Sequence, residues 1–121
     1  MTTDPLTLEA LAVQEPSPQT GSTALPEARA RALMAPLPHW TYFGRHIERT
    51  FRFANYYQTM AFVNMIAAIA HATDHHPEMS VHYGHVTVRY NTHDADQGAG
   101  GVTMNDLICA ARIDLALKLS A

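Results

Sequence analysis

The alternation of apolar and polar residues is sharpest in the middle of the chain. From Trp40 the period is two: Trp40 and Tyr42 lead to Gly44, and then Ile47, Arg49, Phe51 and Phe53 alternate with Glu48, Thr50 and Arg52. This predicts two antiparallel strands bent at Gly44-Arg45, with Ile47, Phe51 and Phe53 on a face that needs cover. The period then lengthens. Asn55, with Gln58 three residues on, is a capping-box variant, and Phe62, Ile66 and Ile69 recur at i, i+4 and i+7 beside Met60, Val63, Ala67 and Ala70. That helix is predicted to end near Thr73-Asp74, because the residue before Pro77 is biased away from helical backbone. Alternation returns from Val81 to about Thr92, with Val86, Val88 and Tyr90 on one face and His85, Thr87, Arg89 and Asn91 on the other. After the turn-forming stretch 94–101, Thr103 with Asp106 opens a last helix, Met104 to about Lys118. A short helix is predicted at 27–34, between Pro26 and Pro36-Leu37-Pro38. The order predicts an α+β domain: an antiparallel sheet of about four strands with about three α-helices packed on one face.

Proline marks the start of that domain, since Pro5, Pro16, Pro18, Pro26, Pro36 and Pro38 precede residue 40 and only Pro77 follows it. Residues 1–24 fit no regular face and are expected to form a disordered tail, with Leu6, Leu8, Leu11 and Val13 as a transient helix or an anchor for a partner. The folded unit is expected over 25–121. A content of 47% hydrophobic and 16% charged residues supports one packed core. A formal net charge of −3 gives no long-range pull on phosphate backbones, so nucleic acid is not an expected partner. The apolar runs fall short of the roughly 20 residues that span a bilayer, and the N-terminus lacks the basic and apolar regions of a signal peptide. No membrane association and a cytoplasmic location are therefore expected. Cys109 is the single cysteine, cannot form an internal disulfide, and reads as a buried core thiol.

Histidine changes the picture. Eight histidines equal the whole Lys and Arg count, and His71, His75, His76, His82, His85 and His93 fall within 71–93. His75 and His76 lie where the long helix breaks, flanked by Asp74 and Glu78, and His93 lies where the following strand leaves the sheet. An imidazole exists in both protonation states near neutral pH, so such a set suits general acid–base catalysis, with one ring giving a proton and another taking one. His71 and His75 also stand at i, i+4, a spacing that allows zinc, but the helix frays at His75 and neither an HExxH motif nor a cysteine ligand is present, so no metal is expected. Exposed surface histidines are the competing reading, and His39, His46, His82 and His85 are assigned to it. If the strand is regular, His93 shares the polar face with His85 and Thr87. Its approach to His75 and His76 then requires the strand end to lie over the helix break.

The string Asp74-His75-His76-Pro77-Glu78, then Val81, Tyr83, Val86, Val88 and Thr92-His93-Asp94, resembles the pterin-4a-carbinolamine dehydratase family. Leu37-Pro38-His39-Trp40 and Ile47 to Phe53 are similar to that family's opening strands, and Ala111-Arg112-Ile113-Asp114 to its closing helix. The resemblance covers about 25–119. It implies dehydration of a 4a-hydroxytetrahydropterin to quinonoid dihydropterin and water, in support of aromatic amino acid hydroxylation, without a metal or redox cofactor. It carries His75, His76 and His93 over as active-site imidazoles, with His75 and His93 exchanging protons with the C4a hydroxyl and N5 and His76 positioning the ring. Asp74, Pro77, Glu78 and His71 are the expected substrate-binding residues. Three departures stand out: His71 where many relatives have Glu, Met79 where Trp is common, and a longer, glycine-rich 95–101 loop. The resemblance further implies a homodimer or homotetramer. It also leaves an alternative in which the chain is a non-catalytic assembly factor or regulatory binding module, with an aromatic amino acid hydroxylase or Rubisco as protein client.

Overall fold

The computed structural model describes residues 4, 5 and 7–120. The alternation at 47–53 and 85–90 is realised as β2 (Ile47–Arg52) and β4 (His85–Tyr90), antiparallel neighbours with Ile47 opposite Tyr90 and Phe51 opposite Val86. β1 (Thr41–Tyr42) and β3 (Glu78–Val81) flank them, giving an antiparallel sheet in the order β1-β2-β4-β3. The run expected as one strand from Val81 is a hairpin. His82 N–H donates to the His85 carbonyl at 2.9 Å, so the chain reverses through Tyr83-Gly84 and Glu78–Val81 supplies the edge strand.

One face of the sheet carries Ile47, Phe51, Val86, Val88 and Tyr90, all buried. It is covered by α3 (Tyr56–Thr73) and α4 (Met104–Ser120). Asn55 caps α3 as expected, its side chain accepting from Gln58 N–H at 2.9 Å, and Gln58 Oε1 returns a bond to the Ala54 N–H. Phe51 packs its ring 4.5 Å from Phe62 of α3 and 5.9 Å from Trp40, which joins the sheet to its cover. The opposite face carries Glu48, Thr50, Arg52, Thr87 and Arg89 and has no covering layer among the described elements. α2 (Glu27–Leu33) buries Ala30 and Leu33 at the edge of the core.

The stretch expected to be a disordered tail is placed against the domain. α1 (Leu8–Ala12) is capped by Thr7, whose side chain accepts from the Ala10 N–H, and it buries Leu11 and Ala12 on α4. Arg112 donates from Nε to the Ala12 carbonyl and from Nη2 to the Gln14 carbonyl, while Ser17 and Asn105 exchange two hydrogen bonds. The reason lies in α4: Leu107 to Ala111 and Ile113 are buried all round the helix, so it needs cover on the side away from the sheet. Leu6 of the proposed anchor pattern lies outside the described residues, and Val13 is exposed.

Asp114 of α4 is buried and accepts both the Trp40 indole N–H, at 2.9 and 3.1 Å, and Arg49 Nη1 at 2.9 Å. Burial raises its pKa, outweighing the indole and guanidinium that lower it. The folded chain therefore keeps this proton to higher pH than the unfolded chain. The associated stability is complete below the unfolded value of about 3.9 and is lost as pH rises through the raised one. Asp114→Asn lacks this loss. Its melting temperature relative to wild type should therefore climb from about pH 4 to pH 7, which paired thermal melts measure; a relative fall would contradict the assignment.

Candidate active site

α3 ends at Thr73, whose hydroxyl bonds back to the Ile69 carbonyl at 2.8 Å, and Asp74 follows in the left-handed region with φ 50°. That reversal sends the two histidines in opposite senses: His75 is buried and His76 is exposed. The His75 ring stacks on Tyr90 of β4, 5.6 Å between centroids, and its Nε2 lies 2.5 Å from Asp106 Oδ1. Asp106 is fully buried in the first turn of α4. Its second oxygen accepts from Thr92 Oγ1 at 2.9 Å and from the Thr103 N–H at 2.8 Å. The Thr92 and Thr103 hydroxyls are 2.7 Å apart, so with the Thr92 proton committed to the carboxylate, Thr103 donates to Thr92. A carboxylate oxygen without a proton only accepts, which assigns the Nε2 proton of this contact to His75.

Thr92 also exchanges backbone hydrogen bonds with Gly101, at 2.8 and 3.2 Å, and this bridge closes the loop that bears His93. Asp106 thus ties together the α3 break, the end of β4 and the start of α4. Nearby, burial pushes the Cys109 thiol up to about 11 and the Tyr90 hydroxyl above its ordinary range, the Asp106 carboxylate contributing in both cases. Neither supplies an anion at neutral pH, and Cys109 is the core thiol expected.

On the uncovered side of the sheet, His46, His76, Glu78, Arg89, Asn91 and His93 line a cavity of about 290 Å³. This is close to the lower end of small-molecule pockets, about 300–1,000 Å³. Strand register assembles it. Glu48, Arg89 and Glu78 are direct neighbours across β2, β4 and β3, and Asn91 and His93 continue the Arg89 face beyond β4. Glu48 Oε1 accepts from Arg89 Nε at 2.8 Å and lies 3.2 Å from His46 Nε2, whose ring stacks on Phe43. A broader depression of about 760 Å³, between residues 20–23 and 94–98, holds Asp94 and Asp96 but no imidazole.

The structure therefore brings His76, Glu78 and His93 together and places His75 apart from them, on the core side of the sheet end. Asp74, Pro77 and His71 do not line the cavity: the Asp74 carbonyl accepts from Gln19 Nε2 at 3.0 Å, and His71 lies exposed on the last turn of α3. Met79 packs against the core beside Val88, so its departure from Trp does not bear on the cavity wall. Asp106, Thr92, Thr103, Arg89, Asn91 and His46 were not anticipated as site residues. For Arg89 and Asn91 the signal was their shared parity with His93; for Asp106 the Thr103-to-Asp106 spacing read only as a helix start. Among the described residues no group of three or more His, Cys, Asp or Glu side chains is placed to hold a metal ion.

An open-faced α+β sandwich with an imidazole-bearing cavity at the end of its sheet is the class that this fold and site define. The family model for pterin 4 alpha carbinolamine dehydratase matches residues 23–116, and the chain belongs to that family. A Chromobacterium violaceum protein provisionally named a pterin-4-alpha-carbinolamine dehydratase is 48% identical over 102 residues, covering 84% of this chain and 91% of that protein. A Xanthomonas campestris protein with the same provisional name is 52% identical over 99 residues, covering 79% and 80%. The crystal structure of a transcriptional coactivator/pterin dehydratase from Brucella melitensis superimposes with a TM-score of 0.69 at 27% identity, covering 77% of this chain and 97% of that one. A pterin dehydratase-like RuBisCO assembly factor of the alpha-carboxysome shares the fold alone, with a TM-score of 0.53 at 24% identity over 63% of this chain and 86% of that one. No helix among the described residues is long and apolar enough to cross a membrane.

Removing the Asp106 carboxylate leaves a buried imidazole, a hydroxyl and a backbone N–H without their acceptor. Asp106→Ala should cost about 3 kcal/mol or more, the range for breaking a buried hydrogen-bonded pair. Urea titration of the variant measures this, and a loss below about 1 kcal/mol would show that the network does not hold the site together.

Proposed function

We propose that the chain is a hydro-lyase that dehydrates a 4a-hydroxytetrahydropterin, with His76 and His93 as the proton-exchanging pair. The observation that carries this reading is the meeting of those two imidazoles, from the α3 break and the end of β4, in one cavity sized for a small heterocycle. The reaction needs two proton movements and no electron acceptor. One imidazolium gives a proton to the C4a hydroxyl, the C4a–O bond breaks, and water leaves. The N5 electron pair forms the C4a=N5 bond, and the N5 proton passes to the second, neutral imidazole. Each ring ends in the state the other began in, so one proton returned through solvent resets the pair.

An imidazole can give or take a proton near neutral pH, and each correctly placed proton transfer contributes roughly 10²–10⁴-fold. His75 takes a different part from the one expected. Its Nε2 is held by Asp106, so it acts as a positioning residue that fixes the turn from which His76 projects. Glu78 is the carboxylate that faces the substrate. The uncovered edge of β3, with Val81 and Tyr83 exposed beside it, supports self-association as a homodimer or homotetramer.

His76→Ala and His93→Ala should each lower turnover of a synthetic carbinolamine by about 10²–10⁴-fold while leaving the melting temperature near wild type, since both side chains are exposed. His71→Ala should leave turnover unchanged. A stopped-flow dehydration assay with calorimetric melts decides the matter. Full activity in both His76→Ala and His93→Ala would overturn the assignment, and a wild-type chain without activity would favour the binding-module reading.

A further inference from the structure

The two histidines account for the proton movements but not for how a flat heterocycle is oriented between them. The rest of the cavity is charged in a specific way. Arg89 is held rigidly for a half-exposed side chain: Nε donates to Glu48 at 2.8 Å and Nη1 to Ser80 Oγ at 3.3 Å. Glu48 also faces His46, so both charges of the Glu48–Arg89 pair are braced from β2. On the other flank the Glu78 carboxylate lies 3.7 Å from Arg89 Nη1, close enough for Coulomb attraction but beyond good hydrogen-bond distance. Glu78 is largely exposed, and among the described residues neither it nor Arg89 Nη2 makes a hydrogen bond. The cavity therefore presents a donor and an acceptor side by side, on neighbouring strands, each with unused capacity.

We propose that Arg89 and Glu78 together determine specificity by taking the amide-like edge of a bicyclic substrate. A ring carbonyl would accept from the Arg89 guanidinium, while the adjacent ring N–H and exocyclic amine donate to the Glu78 carboxylate in bidentate fashion. This edge, with one acceptor followed by two donors, is the pyrimidine edge of a pterin. The inference rests on the dehydratase reading, to which it adds the element that chooses the ring and sets its orientation. Asn91 and His46 line the same cavity beyond Arg89, toward the end of the β2–β4 ladder. Glu48 enters as a positioning residue: without it the guanidinium loses its bracing.

The test is binding and turnover measured together. The oxidised heterocycles pterin (2-amino-4-oxo) and lumazine (2,4-dioxo) are titrated by fluorescence against the full chain, and dehydration of the synthetic carbinolamine is followed in parallel. Wild type should prefer pterin over lumazine by about tenfold or more, the worth of a charge-assisted pair. Glu78→Gln should abolish most of that preference. Arg89→Met should weaken both heterocycles by about tenfold and raise KM for the carbinolamine correspondingly, with kcat falling far less than in His93→Ala. Arg89→Lys, which keeps the charge but not the planar fork, should restore only part of the affinity and guards against a folding defect in the Met variant. Unchanged pterin affinity and KM in a folded Arg89→Met variant would overturn the proposal while leaving the dehydratase reading intact. A wild-type chain that neither binds pterin nor dehydrates the carbinolamine would overturn both.

Discussion

A carboxylate taken fully out of water has to find donors inside the protein, and Asp106 finds them on segments far apart in the chain: His75 after α3, Thr92 after β4, and the Thr103 backbone at the head of α4. Each donor is itself constrained. His75 is stacked on Tyr90, Thr92 is bridged to Gly101, and the Thr103 N–H is a helix-terminal group that would otherwise lack an acceptor. The geometry of the loops that bear His76 and His93 depends on this one buried group. A substitution at Asp106 would act on both loops at once, whereas substitutions at His76 or His93 act on the cavity alone.

Strand parity separates two environments across the end of the sheet. On the core side, Tyr90, His75, Cys109 and Asp106 are all buried, and the thiol and phenol stay protonated at neutral pH. On the open side, Glu48, Arg89, Glu78, Asn91 and His93 remain polar and accessible to a ligand. Adjacent residues at the α3 break face opposite ways, so His75 is buried against Asp106 and His76 lines the cavity. The different surroundings of two neighbouring imidazoles thus follow from where the backbone leaves α3 at Asp74 and not from their intrinsic chemistry.

Much of this was legible in the sequence because period and capping are local. The α3 stripe and the Asn55 cap, and the β2 and β4 alternation, all follow from spacing along the chain. What escaped is non-local. The hairpin at Tyr83-Gly84 was hidden inside one apparently continuous alternation, since a tight reversal needs little change in pattern. The docking of residues 7–24 could not be read from their own polar composition. It was implied instead by α4, whose consecutive apolar residues Leu107 to Ala111 are buried all round the helix and therefore need a second covering layer. Asp106 read as a helix-start residue because one side of it is that: its bond to the Thr103 N–H is local, and its bond to His75 spans the domain.

The account is tested most directly by long-range ¹⁵N–¹H spectra of the imidazole side chains, recorded with and without added pterin. His75 should be the Nε2–H tautomer in both samples, held there by Asp106, while the ring nitrogens of His76 and His93 shift on ligand addition. A His75 ring protonated on Nδ1, or one that responds to pterin while His93 does not, would contradict the division between a bracing histidine and a reacting pair.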